Sequence, residues 1–379
     1  MNTTDLTAEF RLSEDITYLN HAAVAPWPTR TAQAISGFAT ENATVGAMNY
    51  PRWVTVEQQL RQQLRWMINA PSSNDIALVK NTSEALSIVA YGLDWQQGDN
   101  IVISDQEFPS NRIVWESLAG HGVEVRQADL NQGASPEDAL IQLTDKRTRL
   151  LAISSVQYAT GLRIDLSRLG QYCREYGILF CVDAIQSIGA TQLDVQSCFA
   201  DFVMADGHKW MLGPEGLALF YCRAELRERL RLNQFGWHMV EDHMNFDRPD
   251  WQPAVTSRRF ECGSPNMLGI HGLSASLSLF EDIGLDVVEQ GIIKNSAYLF
   301  DKIRNIDNLE LISPATQGRF AGIVTFRHKQ ADQDELYKYL MQHRVVCAQR
   351  GGGIRFSPHF YTTTEQMDRA LQYVTSFGK

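Results

Sequence analysis

Short apolar runs and helix-spaced apolar stripes alternate along the middle of the chain. The runs are bounded by Gly, Pro, Asn and Asp, and between them apolar residues recur at three- and four-residue spacing. The pattern predicts strands at 76–79, 101–105, 123–127, 150–156, 178–184, 201–205 and 216–222, and helices after residue 83, at 111–119 and at 166–176. Such alternation is typical of an α/β protein whose mainly parallel sheet is covered by helices on both faces.

Two further regions depart from this pattern. Residues 29–69 are helix-like with one interruption, and residues 231–259 are rich in Trp, Asp, Arg and Pro with weak periodicity. We expect the second segment to lead from a large domain at 15–255 into a small α/β domain made of 256–379 together with 1–14. Within the small domain the pattern predicts strands at 323–328, 345–349 and 354–360, and helices at 332–342 and from residue 364.

Composition limits the class of protein. The 379 residues are 44% hydrophobic and 21% charged, and a formal net charge of −10 gives no basic surface for nucleic acid or anionic lipid. No signal peptide and no apolar run of membrane-spanning length is seen, so we expect a cytoplasmic protein. The six cysteines stand singly, without metal-finger spacing, and are predicted to be reduced and structural.

Lys209 is the most informative residue of the chain. It lies in DGHKWMLGPEG, on a turn between the strands predicted at 201–205 and 216–222. Burial at a strand end lowers the pKa of a lysine and makes it a nucleophilic amine that can form a Schiff base. The alternative is a surface lysine in a glycine-rich turn, and residues elsewhere in the chain have to decide between the two.

Polar and aromatic residues follow each predicted strand. Thr82 and Ser83 precede a helix, where backbone N–H groups and the helix dipole bind phosphate; a plain helix cap is the alternative. Because ligands bind beyond the carboxyl ends of parallel strands, we expect the residues after the strands to converge. The other members of this set are Glu107, Phe108, Gln157, Tyr158, Asp183, Gln186 and residues 206–209.

This set of side chains suits pyridoxal 5'-phosphate. The cofactor needs a lysine for the imine, a carboxylate that keeps its ring nitrogen protonated, an anion pocket and a flat face for stacking. Asp183 ends an apolar strand, where an unpaired carboxylate is costly and a protonated ring nitrogen would be its partner. The candidates for the four roles are Lys209, Asp183, the pair Thr82 and Ser83, and Phe108, and Gln186 is placed to reach the phenolic oxygen of the ring.

Two other patterns are weaker. Residues 351–353 are three glycines followed by a predicted strand rather than a helix, so they indicate a tight turn rather than a phosphate loop. Residues 238–243 contain two His, one Glu and one Asp, which are metal-ligand types. Their segment lacks periodicity, so we interpret it as a solvated charged loop and predict no metal site.

Seven motifs, in order along nearly the whole chain, resemble those of class V pyridoxal-phosphate enzymes. This family includes cysteine desulfurases, isopenicillin N epimerase-like proteins and kynureninases. The motifs are YLNHAA, NTSEAL, EFPSNRIVW, VDAIQSIGA, DGHKW, FECGSPN and IRFSPHFYTTTEQMDRAL. The resemblance implies a fold-type-I enzyme with a mainly parallel seven-stranded sheet flanked by helices, a small C-terminal α/β domain and an amino-acid substrate. It also implies a homodimer with shared active sites.

The resemblance also implies roles for single residues. Lys209 would carry the cofactor and Asp183 would hold its ring nitrogen, which makes them the catalytic pair. Further cofactor contacts would come from Thr82, Ser83, Phe108, Gln186, His208 and Asp206, the last at a position where desulfurases have serine. Ser264 matches a residue that reaches the phosphate of the neighbouring subunit, and Arg355 matches one that binds the substrate carboxylate. His21 and Tyr158 are further candidates for substrate binding.

Two departures from the family pattern bear on the reaction. Phe108 stands where desulfurases stack a histidine, and Cys347 lies in a predicted strand rather than on a mobile loop. A thiol buried in a strand is a poor nucleophile, so sulfur transfer through a persulfide is not expected. We therefore expect transamination, epimerisation or β-elimination through a Lys209 Schiff base, with cysteine desulfurase or cysteine/cystine C–S lyase as the alternative. The complete Lys, Asp and Arg set disfavours a binding protein that keeps only the fold.

Overall fold

A computed structural model describes residues 6–378 of the chain. The strands of this part are β1 (Thr17–Tyr18), β2 (Ile76–Val79), β3 (Asn100–Ser104), β4 (Glu124–Ala128), β5 (Thr148–Ser154), β6 (Leu179–Asp183), β7 (Phe202–Asp206), β8 (Ala218–Cys222), β9 (Leu309–Leu311), β10 (Val324–His328), β11 (Val345–Val346), β12 (Ala348–Arg350) and β13 (Gly353–Phe356). The helices are α1 (Leu6–Glu9), α2 (Thr29–Val45), α3 (Tyr50–Met67), α4 (Thr82–Gly92), α5 (Ser110–Glu116), α6 (Pro136–Gln142), α7 (Leu166–Tyr176), α8 (Met267–Ile283), α9 (Leu285–Arg304), α10 (Gln333–Gln342) and α11 (Thr364–Ser376). Short 3₁₀ helices lie at Ser73–Asp75, Ser117–His121, Ala224–Arg229 and Ser257–Phe260.

A seven-stranded sheet forms the centre of the molecule. Its strand order is β2-β8-β7-β6-β5-β3-β4, and all neighbours are parallel except that β8 runs antiparallel to both β2 and β7. Every residue of β3, β6 and β8 is buried, which explains why their sequences are continuous apolar runs rather than alternating ones. The predicted α/β class with a mainly parallel seven-stranded sheet is confirmed.

The helices cover the sheet through apolar stripes. In α7, for example, Leu166, Leu169 and Cys173 are buried, and Gly177 ends the helix in the left-handed conformation. Two clusters of buried apolar residues occupy the two faces of the sheet, and a third fills the C-terminal unit. Among residues 6–378, no helix combines the length and the apolar character needed to cross a membrane.

The C-terminal unit is built on a smaller sheet. Its four strands lie in the antiparallel order β12-β13-β10-β9, and the turn at 351–352 joins β12 to β13 as predicted for the three glycines. Cys347 interrupts the strand predicted at 345–349, because β11 pairs instead with β1 in a separate parallel two-stranded sheet.

Contacts of α8 and of β1 cross the predicted domain limits, which were 15–255 for the large domain and 256–379 with 1–14 for the small one. Helix α8 packs against α2 and α3, and Met267 and Leu273 belong to the same apolar cluster as residues of the central sheet. Helix α8 therefore packs with the predicted large domain, although it follows the predicted limit at 256. Conversely, β1 pairs with β11 of the C-terminal unit, although 17–18 fell in the predicted large domain. Of the N-terminal residues assigned to the small domain, 1–5 lie outside the described part, as does residue 379.

Candidate active site

Lys209 lies on a tight turn just after β7. The turn is closed by two backbone hydrogen bonds, from Leu212 N to Lys209 O at 3.0 Å and from Gly213 N to Gly207 O at 2.8 Å. Leu212 takes a left-handed backbone conformation with φ of 61°, which is rare for a residue with a branched side chain. The lysine side chain is 9% exposed, so the surface-lysine alternative does not hold.

Trp210 anchors this turn to the protein interior. Its ring is fully buried and its Nε1–H donates to Gln186 Oε1 at 2.8 Å. The ring packs so closely on Gly322 that a Cβ at that position would lie 2.2 Å from the ring, so the contact requires glycine there. Trp210, the neighbour of Lys209 in the chain, is thus held by Gln186 of the large domain and by Gly322 of the small domain.

The charges around Lys209 act on its pKa in opposite directions. Burial lowers the pKa of Lys209 to about 8; the carboxylates of Asp183 and Asp206 raise it, and the guanidinium groups of Arg355 and Arg350 lower it. Among residues 6–378, no carboxylate forms an ion pair with the Lys209 amine. A large neutral fraction near physiological pH is the state that a nucleophilic amine requires.

Asp183, at the end of β6, is the buried carboxylate of the site. It is 2% exposed, and in the described part of the chain its carboxylate receives one hydrogen bond, from Ile185 N at 3.1 Å. Burial raises the pKa of Asp183 to about 7, and the negative charge of Glu107 adds to the rise, whereas Lys209 opposes it. A cationic N–H placed beside Asp183 would remove this penalty.

Phe108 offers an exposed aromatic face next to the lysine. Its ring centroid lies 5.7 Å from Lys209 Nζ, and the side chain is 40% exposed although it borders a buried site. The ring of Tyr158 meets it edge to face at 5.2 Å. This arrangement leaves one face of Phe108 available to stack on a flat ligand.

The first turn of α4 forms an anion pocket in which a side chain of the protein already lies. The helix is capped by Asn81, whose side chain accepts a hydrogen bond from Glu84 N. Thr82 and Ser83 are therefore not the helix cap, which was the alternative role predicted for them. The N–H and the hydroxyl of Thr82 both donate to Asp206 Oδ1, at 2.5 and 3.0 Å. Ser83 is exposed and its hydroxyl donates to Ser110 Oγ at 2.9 Å.

His208 borders this pocket, and its Nδ1 has no hydrogen-bond partner among the described residues 6–378. That atom is buried and lies 3.4 Å from Asp206 Oδ2, outside hydrogen-bond geometry. Burial lowers the pKa of His208 to about 4, and the charge of Lys209 adds to the effect, so the imidazole is neutral at physiological pH.

Arg355, on β13, has buried donors that the protein leaves free. The residue is 2% exposed, its Nη1 donates to Tyr158 O at 2.6 Å, and its Nε has no partner among residues 6–378. No carboxylate in the described part of the chain pairs with it, and burial lowers the pKa of Arg355 to about 10. A buried guanidinium that lacks a carboxylate fits a site for the carboxylate of a ligand.

Gln186 and His21, both predicted to contact a ligand, form hydrogen bonds within the protein. The Gln186 amide donates to Ala22 O at 3.0 Å and accepts from Trp210, so one amide N–H remains for the phenolic oxygen of a ring. His21 is fully buried, with Nδ1 2.8 Å from Ser357 O and Nε2 2.6 Å from Tyr361 Oη. Both ring nitrogens of His21 are engaged, which supports a role in joining the domains and not the predicted contact with substrate.

Ser264 and Cys347 are the residues on which the predicted dimer contact and the persulfide alternative depend, and the Cys347 thiol lies close enough to Arg355 for each group to influence the pKa of the other. Ser264 is exposed on the turn before α8. Cys347 is 2% exposed in the core of the small domain, and burial raises the pKa of its thiol to about 12. The expected burial of Cys347 is confirmed, although the residue lies between β11 and β12 rather than within a strand, and its low reactivity stays a prediction.

The charged segment at 238–243 is not wholly solvated, contrary to the interpretation given above. His238 is 4% exposed, and its Nδ1 lies 3.7 Å from Glu261 Oε2, close also to Glu57. Arg61 occupies both carboxylates, at 2.6 Å from Glu261 and 2.5 Å from Glu57. The low periodicity of the segment concealed a histidine that packs into a buried ion-pair cluster.

Two residues of the site went unassigned in the sequence. Glu107 is buried and its carboxylate accepts hydrogen bonds from Ser104, Ser154 and Gln157 among others, so it holds the ends of β3 and β5 together. Its position after a predicted strand was the only signal. Arg350 influences Lys209 and Arg355 from the end of β12, and no motif contained it.

These residues fit pyridoxal phosphate. Lys209 supplies a buried amine, Asp183 a buried carboxylate with spare acceptor capacity, Phe108 an exposed ring face and Arg355 an unpaired guanidinium. Thr82 supplies the phosphate donors, which Asp206 holds in this structure.

The Aminotransferase class-V family model matches residues 17–370. A probable cysteine desulfurase of Methanothermobacter thermautotrophicus is 30% identical over 100% of this chain and 99% of its own length. A cysteine desulfurase of Klebsiella pneumoniae is 29% identical over 94% of this chain and 92% of its own. Among solved structures, the cystine C-S lyase C-DES, in complex with cysteine persulfide, has a TM-score of 0.89 at 24% identity and covers 97% of this chain and 99% of that one. The Escherichia coli cysteine desulfurase CsdA has a TM-score of 0.86 at 24% identity, covering 97% and 96%.

Proposed function

We propose, since the chain belongs to the aminotransferase class-V family, that it cleaves the carbon–sulfur bond of a cysteine- or cystine-type amino acid by β-elimination. Membership in this family makes it a pyridoxal-phosphate-dependent enzyme. The choice of sulfur substrate is supported by the names of the relatives, which are cysteine desulfurases and a cystine C-S lyase. These names favour the alternative of the sequence analysis over transamination or epimerisation, and they do not single out an isopenicillin N epimerase-like branch.

The buried Cys347 thiol is the observation that carries the choice of elimination. A persulfide route needs an accessible thiolate, and the pKa of Cys347 is raised to about 12 in the small-domain core. Of the six cysteines, only Cys262 is not fully buried. β-Elimination needs no protein thiol, because cysteine plus water yields pyruvate, ammonia and sulfide with no change in total oxidation state.

Bound pyridoxal phosphate would supply an electron sink for negative charge at the substrate Cα. Lys209 would hold the cofactor and then, as a free amine with a lowered pKa, take the proton from Cα through Nζ. Asp183 would keep a proton on the ring nitrogen by charge-assisted hydrogen bonding, and Phe108 would fix the plane of the ring. These groups are within reach of one another at the carboxyl edge of the sheet.

Arg355 would orient the substrate. Its unpaired Nε would donate to the α-carboxylate, while Nη1 stays on Tyr158 O. Burial strengthens such a pair and holds Cα near Lys209. Tyr158, whose ring lies against Phe108, would line the same space.

The homodimer is part of the proposal. Ser264 is exposed, so it is accessible for a contact with the phosphate of a second copy. Large exposed apolar side chains also cluster in the irregular segment before it, namely Phe235, Met244, Phe246, Trp251 and Val255. A second copy covering this segment would explain both observations. The cytoplasmic location and the absence of nucleic-acid partners remain predictions from composition.

A substrate screen tests the proposed function. Purified protein with pyridoxal phosphate is incubated with single amino acids, with and without a 2-keto acid as amino-group acceptor, and keto acid, ammonia, sulfide and change of optical rotation are read separately. The proposal predicts keto acid, ammonia and sulfur product in parallel, with sulfur amino acids only. Keto acid without ammonia would indicate transamination, and racemised substrate without products would indicate epimerisation; either result would refute the proposal.

A further inference from the structure

The phosphate pocket at the start of α4 holds a carboxylate of the chain itself. Thr82 gives both its backbone N–H and its hydroxyl to one oxygen of Asp206. Both donors lie in the first turn of the helix, where a phosphate would need them. The Asp206 side chain is only 12% exposed, so little solvent separates it from any anion that enters.

The groups that face Asp206 do not cancel its charge. His208 lies at 3.4 Å but is neutral, since its pKa is about 4. Burial is the largest influence on the Asp206 carboxyl and raises its pKa; the two hydrogen bonds from Thr82 and then the charge of Lys209 lower this pKa, and the charge of Glu215 raises it. Asp183 lies near enough for Asp206 to raise the pKa of Asp183 in turn. A phosphate on the Thr82 donors would therefore meet a second negative charge.

We propose that Asp206 is a proton-linked gate for the cofactor phosphate. In the cofactor-free protein its carboxylate holds the Thr82 donors; as phosphate enters, Asp206 takes up one proton and the Thr82 donors pass to the phosphate. The resulting carboxylic acid O–H then donates to a phosphate oxygen. Serine, which the desulfurase pattern has at this position, supplies such an O–H without a titratable charge. The inference rests on the pyridoxal-phosphate assignment made above.

If Asp206 acts as this gate, the contribution of the phosphate group to cofactor affinity depends on pH. Pyridoxal lacks the phosphate but bonds to the same lysine, so the ratio of the Kd for pyridoxal to the Kd for pyridoxal phosphate isolates the contribution of the phosphate. Titration of Lys209 cancels in this ratio. The ionisation of the phosphate itself remains, but it is common to all variants.

The experiment measures this ratio for the cofactor-free full chain between about pH 6 and pH 9 by absorbance titration. The wild-type ratio is divided by the ratio of D206S or of D206N at the same pH. This quotient should fall as the pH rises, by up to about tenfold per pH unit and by at least about tenfold over the whole range. Glu215→Gln is the matched control, because it removes a nearby exposed carboxylate but leaves Asp206 on Thr82. Its ratio should keep the wild-type slope.

Calorimetry gives a second measurement that needs no folded variant. In buffers of different ionisation enthalpy, wild-type protein should take up about one more proton with pyridoxal phosphate than with pyridoxal, after correction for the free phosphate. Parallel pH profiles of wild type and both Asp206 variants, or a weaker phosphate contribution in D206S, would overturn the gate. Failure of both pyridoxal compounds to bind would instead overturn the cofactor assignment itself.

Discussion

At the scale of single residues, the reactivity of Lys209 depends on charges placed by the small domain. Arg350 and Arg355 lower the pKa of Lys209 beyond what burial does, and both lie on strands of the C-terminal sheet. The guanidinium of Arg350 is exposed and forms no ion pair among residues 6–378, so its effect on Lys209 is not cancelled by a partner.

Arg350→Gln should therefore raise the pKa of Lys209. The rate at which cofactor-free protein bonds to pyridoxal rises with the neutral amine, so the wild-type rate should increase with pH and level off above about pH 8. The variant's profile should move toward higher pH by a few tenths of a unit to about one unit. Arg344→Gln is the control, since Arg344 is an exposed arginine paired with Asp15. Coincident profiles of wild type and Arg350→Gln would exclude the influence of Arg350.

Asp183 should lower the stability of the cofactor-free protein while it supports turnover. Its folded-state pKa is raised to about 7, so the folded protein holds this proton more tightly than the unfolded chain does. Stability from this group is then complete at acidic pH and is lost as the pH rises through about 7.

Asp183→Asn removes the titrating group and should remove this loss. At pH 8 the cofactor-free variant should be more stable to urea than wild type by on the order of 1 to 3 kcal/mol, whereas turnover with cofactor should fall at least about 100-fold. At about pH 4, near the pKa of an aspartate in the unfolded chain, the two proteins should be nearly equal in stability. A variant less stable than wild type at pH 8 would contradict the burial argument, and near-normal turnover would remove Asp183 from the site.

At the scale of elements, the turn after β7 depends on the loop that contains Gly322. A Cβ on residue 322 would come 2.2 Å from the Trp210 ring, and the ring has no free space because it is fully buried. Gly322→Ala should therefore displace Trp210 and the adjacent Lys209, with a loss of about 1 to 3 kcal/mol in stability and at least tenfold in turnover. Gly37→Ala, which meets nothing within 4 Å in α2, is the control. Equal turnover of Gly322→Ala and wild type would show that the turn is not set by this contact.

The elements predicted best from the sequence are those whose pattern and end signals agree. The strand at 76–79 and the helix at 166–176 were placed at their observed bounds, because turn residues or a capping Asp165 and a following Gly177 mark their ends. Helix α6 and strand β9 were not predicted, since they are short and only partly buried. Their formation depends on packing that no local pattern records.

The site residues that could be predicted are those whose chemistry suits a single role and whose position is at the end of a strand. Lys209, Asp183 and Phe108 follow strands, and parallel strands bring their ends together. The hydrogen bonds between Thr82 and Asp206 were not predictable, because the two residues are 124 positions apart in the chain. The motifs indicate that both contact the cofactor, and they give no sign that the two residues contact each other. The burial of His21 was not predictable, because its hydrogen-bond partners Ser357 and Tyr361 lie 336 and 340 positions away in the chain.

At the scale of the whole molecule, the proposal makes the site a product of assembly. The exposed Ser264 and the apolar side chains of 235–255 of one protomer would meet the cofactor pocket of its partner. The protein should therefore elute as a dimer at micromolar concentration, with about twice the mass of the 42.8 kDa chain by light scattering.

A mixing experiment tests whether the sites are shared. Lys209→Ala and a Ser264→Asp variant, whose added charge would repel the phosphate, should each be nearly inactive. Dissociated and reassembled together, they should regain up to about a quarter of wild-type activity, because some mixed dimers carry one site with both native residues. A fully active monomer, or no recovery in demonstrated mixed dimers, would contradict sharing.

The most direct test of the proposed function is the fate of the carbon skeleton of cysteine or cystine. Product is quantified as pyruvate against alanine, with and without added thiol, for wild type, Cys347→Ala and Lys209→Ala. Elimination predicts pyruvate and ammonia in equal amounts, little alanine, near-wild-type activity in Cys347→Ala and none in Lys209→Ala. Alanine as the main product, formed only while Cys347 is present and with a persulfide detected on that residue, would contradict the account.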